Sequence, residues 1–162
     1  MKTYSQFIQE SSLSRIRSKM DKKGSTLHVS GERTGMTKEQ KKKAKSTLKG
    51  DLGRYGLRDQ TDVTGTYQEA GQKKPTKEGT VVARGKGSNR KTAKAARMIG
   101  KKHNQDAIIK SDSKGKNTQR LVATTKAGKK DIGKKSIPIG RMKPGTSSSM
   151  ETRVRNRPYT MS

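Results

Sequence analysis

Cysteine is absent from this chain, so it carries no disulfide and no zinc site built on thiolates. Tryptophan is absent as well, and four tyrosines with one phenylalanine are the only aromatic residues. So few rings argue against a surface that reads single strands by stacking bases. Hydrophobic residues make up 25% of the 162 positions. That little apolar material supports one small compact region of roughly 80–90 residues, with basic arms around it. No run approaches the ~18 apolar residues of a membrane span. Residues 1–20 lack the continuous apolar stretch of a secretory signal, and no stretch joins a basic face to a wide apolar one as a membrane-lying helix does. The composition reads as a soluble protein made for a reducing cytoplasm, with no membrane among its partners.

Negative charge is the other scarcity. Thirteen acidic residues stand against 40 basic ones, for a formal charge of +27. Such a chain repels itself and seeks a polyanion, and nucleic acid is the natural one. Contacts of this kind release counterions, so binding is salt-sensitive and largely blind to sequence.

Catalytic motifs are also missing. No G-x-x-x-x-G-K-[ST] and no complete G-x-G-x-x-G occurs, and Gly85-x-Gly87 reads as a turn. The histidines, His28 and His103, lie far apart without neighbours at metal-ligand spacing. Asp62, Glu69, Glu78 and Asp106 sit on or near expected strands, but nothing in their spacing makes them converge as a two-metal site requires. The expectation is a protein that is not an enzyme and that uses no cofactor or metal.

What is present reads as an α+β chain. Residues 11–24, with Leu13, Ile16 and Met20, suit a helix, and Leu27 and Val29 alternate with polar neighbours in a possible first strand over 25–31. Thr37 and Gln40 have capping-box spacing at the head of a helix whose face carries Ala44, Leu48, Leu52 and Tyr55. Lys41, Lys42, Lys45 and Lys49 line its other side, and Gly56 is a natural stop. Residues 61–69 and 80–84 read as an antiparallel hairpin. A helix follows over 89–102 with Asn89 as its cap; Ala95, Ala96 and Ile99 form one side, and Arg90, Lys94, Arg97 and Lys101 form a single basic stripe. With Arg84 and Lys86 of the preceding connector, this stripe is the candidate nucleic-acid contact. Residues 105–112 and 118–125 read as two further strands.

The expected fold is therefore a small, mostly antiparallel sheet with two helices on one face, plus an N-terminal helix and an extended basic C-terminal tail. By segment, 1–10 stand apart, 11–36 hold the first helix and strand, 37–125 form the α+β domain, and 126–162 are largely extended. One docked strand around 136–142 is the exception within that tail.

The first ten residues, MKTYSQFIQE, place Tyr4, Phe7 and Ile8 on one face of a helical turn. Met1, Lys2, Thr3, Tyr4, Phe7, Ile8 and Glu10 resemble the capsid-targeting leader of the internal head proteins of T-even-type tailed phages, of pattern MKTY-x-x-FI-x-E. The resemblance implies that Tyr4, Phe7 and Ile8 dock on the prohead scaffold core. It also implies that the prohead protease cuts after the tripeptide Ile8-Gln9-Glu10, leaving Ser11 as the new N-terminus. Trimming removes one lysine and one glutamate and leaves the charge at +27.

A second resemblance lies in the body. Gly65-x-Tyr67, followed by Gly100-(x)4-Gln105-Asp106-Ala107-Ile108, is similar to a small α/β family of phages and bacteria without an assigned activity. That family often carries Glu-x-Ser at the start of the second hairpin strand, where this chain has Glu78-Gly79-Thr80.

Together these readings imply a phage internal head protein, packaged with genomic DNA, held inside the virion head and ejected into the host cytoplasm. Its partners would be phage DNA, the scaffold core, the prohead protease and, after ejection, a host protein. The alternative from composition is an RNA- or ribosome-associated basic protein.

Overall fold

Thr37 opens the first helix as its spacing predicts. Its hydroxyl accepts from the Gln40 amide at 3.2 Å, and the Gln40 side chain accepts from the Thr37 amide at 2.8 Å. The computed structural model describes residues 25–33, 35–67, 73–74, 76–85, 88–111, 118–144, 150–154 and 157–161. The leader and the expected helix over 11–24 lie outside the described residues.

The elements run β1 (Ser25–Ser30), α1 (Lys38–Arg54), β2 (Asp59–Tyr67), β3 (Thr76–Gly85), α2 (Asn89–Lys102), β4 (Ala107–Ser111), β5 (Thr118–Ala123), α3 (Lys126–Ile132), β6 (Ser136–Pro144), β7 (Met150–Val154) and β8 (Arg157–Met161). The α+β class expected from the sequence is the class observed. Within it, β1-α1-β2-β3-α2-β4 with spatial order β4-β1-β3-β2 is the split βαβ arrangement of ferredoxin-like domains. Each helix crosses over one intervening strand, so both helices land on the same face. The β2–β3 hairpin pairs from Asp59–Arg84 to Tyr67–Thr76.

That face holds the core. Leu48 and Leu52 of α1, Leu57 after it, and Ala95, Ala96 and Ile99 of α2 pack on Leu27, Val29, Val81, Ala83 and Ile108 of the sheet. Tyr55, expected on the apolar face of α1, is instead its C-terminal cap and is 47% exposed. Gly56 ends the turn with φ +79°, a conformation that favours glycine. The cap of α2 is Ser88 rather than Asn89, its hydroxyl accepting from the Lys91 amide at 3.4 Å.

The largest departure lies beyond residue 125. There the chain forms α3 and three strands that continue the sheet through β7 and β8 until it closes as a barrel, in the order β1-β3-β2-β7-β8-β6-β5-β4. The docked strand expected near 136–142 is β6, but α3, β7 and β8 replace the extended tail. Isolated apolar residues in a lysine-rich segment carry too weak a period to reveal strands whose partners supply most of their order.

Helix α3 is fixed at its head by the Thr125 hydroxyl, which accepts from the Gly128 amide at 3.1 Å, and at its end by Gly133 in the left-handed conformation. A Cβ on Gly128 would overlap the Asp106 carbonyl, which is backbone and cannot rotate away. Gly128→Ala should therefore cost on the order of 2 kcal/mol, read as a lowered urea midpoint. Lys129→Ala, at an exposed position of the same helix, should leave the midpoint unchanged.

Candidate active site

Side chains alternate along a strand, so a sheet whose odd positions on β3 meet the helices turns its even positions the other way. In a closed barrel that other way is inward. Glu78, Thr80 and Val82 of β3 share this inner face with Thr26, His28 and Ser30 of β1, paired as His28–Val82 and Ser30–Thr80. Val63 and Gly65 of β2, opposite Thr80 and Glu78, lie on it as well. Ile109 of β4 pairs with His28, and Ser111 of β4 with Gln119 of β5. All of these are buried except Ile109, which is half-buried. Among the described residues this inner face is thus largely polar.

Several of these polar groups have no hydrogen-bond partner among the described residues. Oε2 of Glu78, Oγ1 of Thr26 and both ring nitrogens of His28 are buried without a hydrogen bond. Buried polar atoms are normally satisfied, so each unpaired one calls for an explanation, which can be a water, an ion or a catalytic role. Burial pushes the His28 imidazole down to a pKa of about 4, so the ring is neutral near neutrality.

The backbone around Glu78 is held in place. The Gly79 amide donates to Oε2 of Glu32 at 2.9 Å, the Ser30 hydroxyl donates to the Gly79 carbonyl at 3.0 Å, and the Glu32 amide donates to the Ser30 hydroxyl at 3.1 Å. A Cβ at 79 would displace the Glu32 carboxylate from this contact. Across the hairpin, Gly65 faces Glu78, and a Cβ on it would stand 2.6 Å from the Thr80 hydroxyl. A bare position thus lies beside a buried carboxylate with a free oxygen.

The second polar centre is outside the barrel, where α1 meets α2. Asp51 is buried there and accepts from Nζ of Lys102 at 2.8 Å, with Nε2 of His103 also at 2.8 Å. Burial works to raise its pKa, but the hydrogen bonds and positive charges of Lys102 and His103 outweigh it and hold the carboxyl below the usual value. Arg33 donates to the His103 carbonyl at 2.6 Å. Both carboxylate oxygens of Asp51 are paired, and the cluster reads as the clasp between the helices. His103, expected to close α2, does so as its C-terminal cap.

The residues singled out from the sequence fall as follows. Arg90, Lys94, Arg97 and Lys101 form one exposed stripe on α2, while Arg84 is half-buried in β3 and does not extend it. Lys86, and the leader positions Tyr4, Phe7, Ile8, Gln9, Glu10 and Ser11, lie outside the described residues. Of the four carboxylates weighed as metal ligands, Asp62 pairs with Lys49 at 2.8 Å, Asp106 accepts from the Thr125 hydroxyl at 2.6 Å, and Glu69 is not described. Among the described residues no group of three or more acidic or histidine side chains is placed to hold a metal. Glu78 is the member of that set buried on the inner face with Oε2 unpaired among the described residues.

The motif glycine Gly100 accepts through its carbonyl from the Gln105 amide at 2.7 Å, and a Cβ on it would strike Thr124. Gly100 and Gln105 therefore build the turn into β4. Gly65 and Glu78 sit at the interior site instead.

A split βαβ sheet closed around a polar interior with an unpaired carboxylate is suited to holding a small, charged molecule. The chain belongs to the S-adenosylmethionine lyase family, whose model matches residues 27–162, from β1 to the end of the chain. No curated protein matches the sequence. The family membership overturns the expectation that the chain is not an enzyme: absence of a recognised motif was read as absence of chemistry, although a substrate that carries its own leaving group needs no motif for activation. Glu78 opens the Glu78-Gly79-Thr80 tripeptide, which stands where the similar small α/β family carries Glu-x-Ser.

Proposed function

We propose that this protein binds S-adenosylmethionine and cleaves one of its carbon–sulfur bonds without water. The carrying observation is the buried Glu78, with an unpaired oxygen opposite Gly65, in a chain of the S-adenosylmethionine lyase family. The sulfonium of the substrate is a cation and already a good leaving group. When the carbon–sulfur bond breaks, both electrons stay on sulfur and a neutral thioether departs. The carbon fragment completes its valence from within itself, its own carboxylate oxygen closing on the carbon that sulfur leaves. The protein's work is then to hold the cation, orient it and exclude water. Glu78 supplies the counter-charge in a medium where attraction exceeds that in water, and neutral His28 and Thr26 offer hydrogen bonds to uncharged parts of the ligand.

The test uses substrate labelled in the methyl group. A lyase leaves the label on a thioether nucleoside. Label on an acceptor would mark a methyltransferase, and intact substrate would remove the reading.

A second, compatible proposal concerns delivery. The leader MKTYSQFIQE precedes the residues that the family model matches, so a cut after Glu10 leaves the matched segment whole. We propose that it carries the enzyme into the phage head and is cut after Glu10, and that the enzyme enters the host with the DNA. Virions should then yield a peptide beginning at Ser11, and Glu10→Ala should leave the precursor uncut. Normal trimming of that variant would remove the cleavage assignment.

A further inference from the structure

The cations of the helix layer have no place in the proposed cleavage, which lies on the other face of the sheet. Helix α2 contains no acidic residue, and Arg90, Lys91, Lys94, Arg97 and Lys101 are all exposed. None of the five has an ion-pair partner among the described residues, whereas Lys41, Lys49, Arg54 and Lys102 do.

This arrangement works against the helix itself. Arg90 and Lys91 stand in the first turn, where the helix dipole disfavours cations. Arg90 and Lys94, and Arg97 and Lys101, are like-charge neighbours at i,i+4, which repel. A merely solvated face would be served better by glutamates at some of these places.

Geometry adds a partner surface. Asp51 clasps Lys102 and His103, so α1 lies beside α2, and Lys43 and Lys102 flank a groove of about 310 Å³ between them. Lys42 and Lys43 of α1 are exposed and without ion-pair partners among the described residues. From Arg90 to Lys101 the stripe rises about 16 Å along α2, a length over which a duplex presents about nine to ten phosphate charges.

We infer that the α1–α2 layer is a docking surface for duplex DNA, gripping phosphates without reading bases. The near-absence of aromatic residues favours the backbone of a duplex over stacked single strands. Because the barrel interior faces the other way, an enzyme molecule seated on DNA keeps its lyase site open. The inference stands apart from the lyase proposal.

The test compares two full-length variants of equal net charge. One carries Arg90→Gln, Lys94→Gln, Arg97→Gln and Lys101→Gln. The other carries Lys126→Gln, Lys129→Gln, Lys130→Gln and Lys134→Gln, at exposed positions in and just after α3. Binding to a mixed-sequence duplex is followed from 50 to 200 mM salt. The α2 variant should lose about three to four units of log–log salt slope and at least tenfold in affinity at 100 mM, while the control stays near wild type. A milder Lys94→Gln/Arg97→Gln pair should lose about half that slope, which covers any folding defect in the quadruple change. Equal losses in both quadruple variants, no loss in either, or tighter binding to a single-stranded RNA of the same phosphate count would overturn the inference. S-adenosylmethionine cleavage should be unaltered in the α2 variant, so failure of one proposal is separable from failure of the other.

Discussion

Glu78→Gln should lower kcat/KM for S-adenosylmethionine cleavage by on the order of 10²–10³-fold. The change keeps the shape of the side chain and removes its charge. In the free protein the carboxylate is buried with Oε2 unpaired, a state that burial alone disfavours. The amide is neutral and should hold the folded state as well as glutamate or better. Activity falling while stability holds or rises is the signature of a group kept for its substrate rather than for its fold. A structural carboxylate would show the reverse, because loss of its partners would weaken the protein. Urea midpoints and steady-state rates on the same preparation separate the two. An unchanged rate would remove Glu78 from the site.

The second large effect is acid sensitivity caused by His28. Its ring is buried between Val82 and Ile109 without a partner on either nitrogen, and its pKa is pushed down to about 4 from the usual 6.5. Between these values the unfolded chain takes up the proton and the folded one does not. Stability from this residue is therefore fully present above pH 6.5 and is lost as the pH falls toward 4. The loss should reach about 2 kcal/mol between pH 7 and pH 5, and about 3 kcal/mol near pH 4. Asp51 acts in a lower window: its depressed pKa means that its contribution fades only below the ordinary carboxylate range. Unfolding of His28→Gln should consequently be nearly flat from pH 7 to pH 5, where wild type falls. Parallel curves for the two proteins would show that the ring takes up protons freely in the fold.

Much of the scaffold was legible because its signals are local. The Thr37–Gln40 capping box, the pairing of 61–67 with the strand over 80–84, and the small-residue side of α2 each follow from spacing within a few residues. The start of β3 at Thr76 lies inside the expected turn. The inner face was not legible, for a reason of geometry. In Thr26-Leu27-His28-Val29-Ser30 the alternation identifies Leu27 and Val29 as buried, but a polar residue facing a barrel interior looks the same in sequence as one facing water. Only closure by β6, β7 and β8 turns the polar face inward, and those strands come from the segment with the weakest pattern. Glu78 was hidden in the same way: as a strand carboxylate it was weighed for metal chemistry beside Asp62 and Asp106, which the fold places in ordinary surface pairings. The stripe on α2 is exposed along one side of the helix, while Arg84 belongs with the strand.

The most direct test of the site is a structure of the protein soaked with the thioether nucleoside that cleavage would release. The account expects its sulfur inside the barrel, beside Glu78 and the bare backbone of Gly65. Density for the nucleoside on the helix layer, or anywhere that leaves Glu78 untouched, would contradict it.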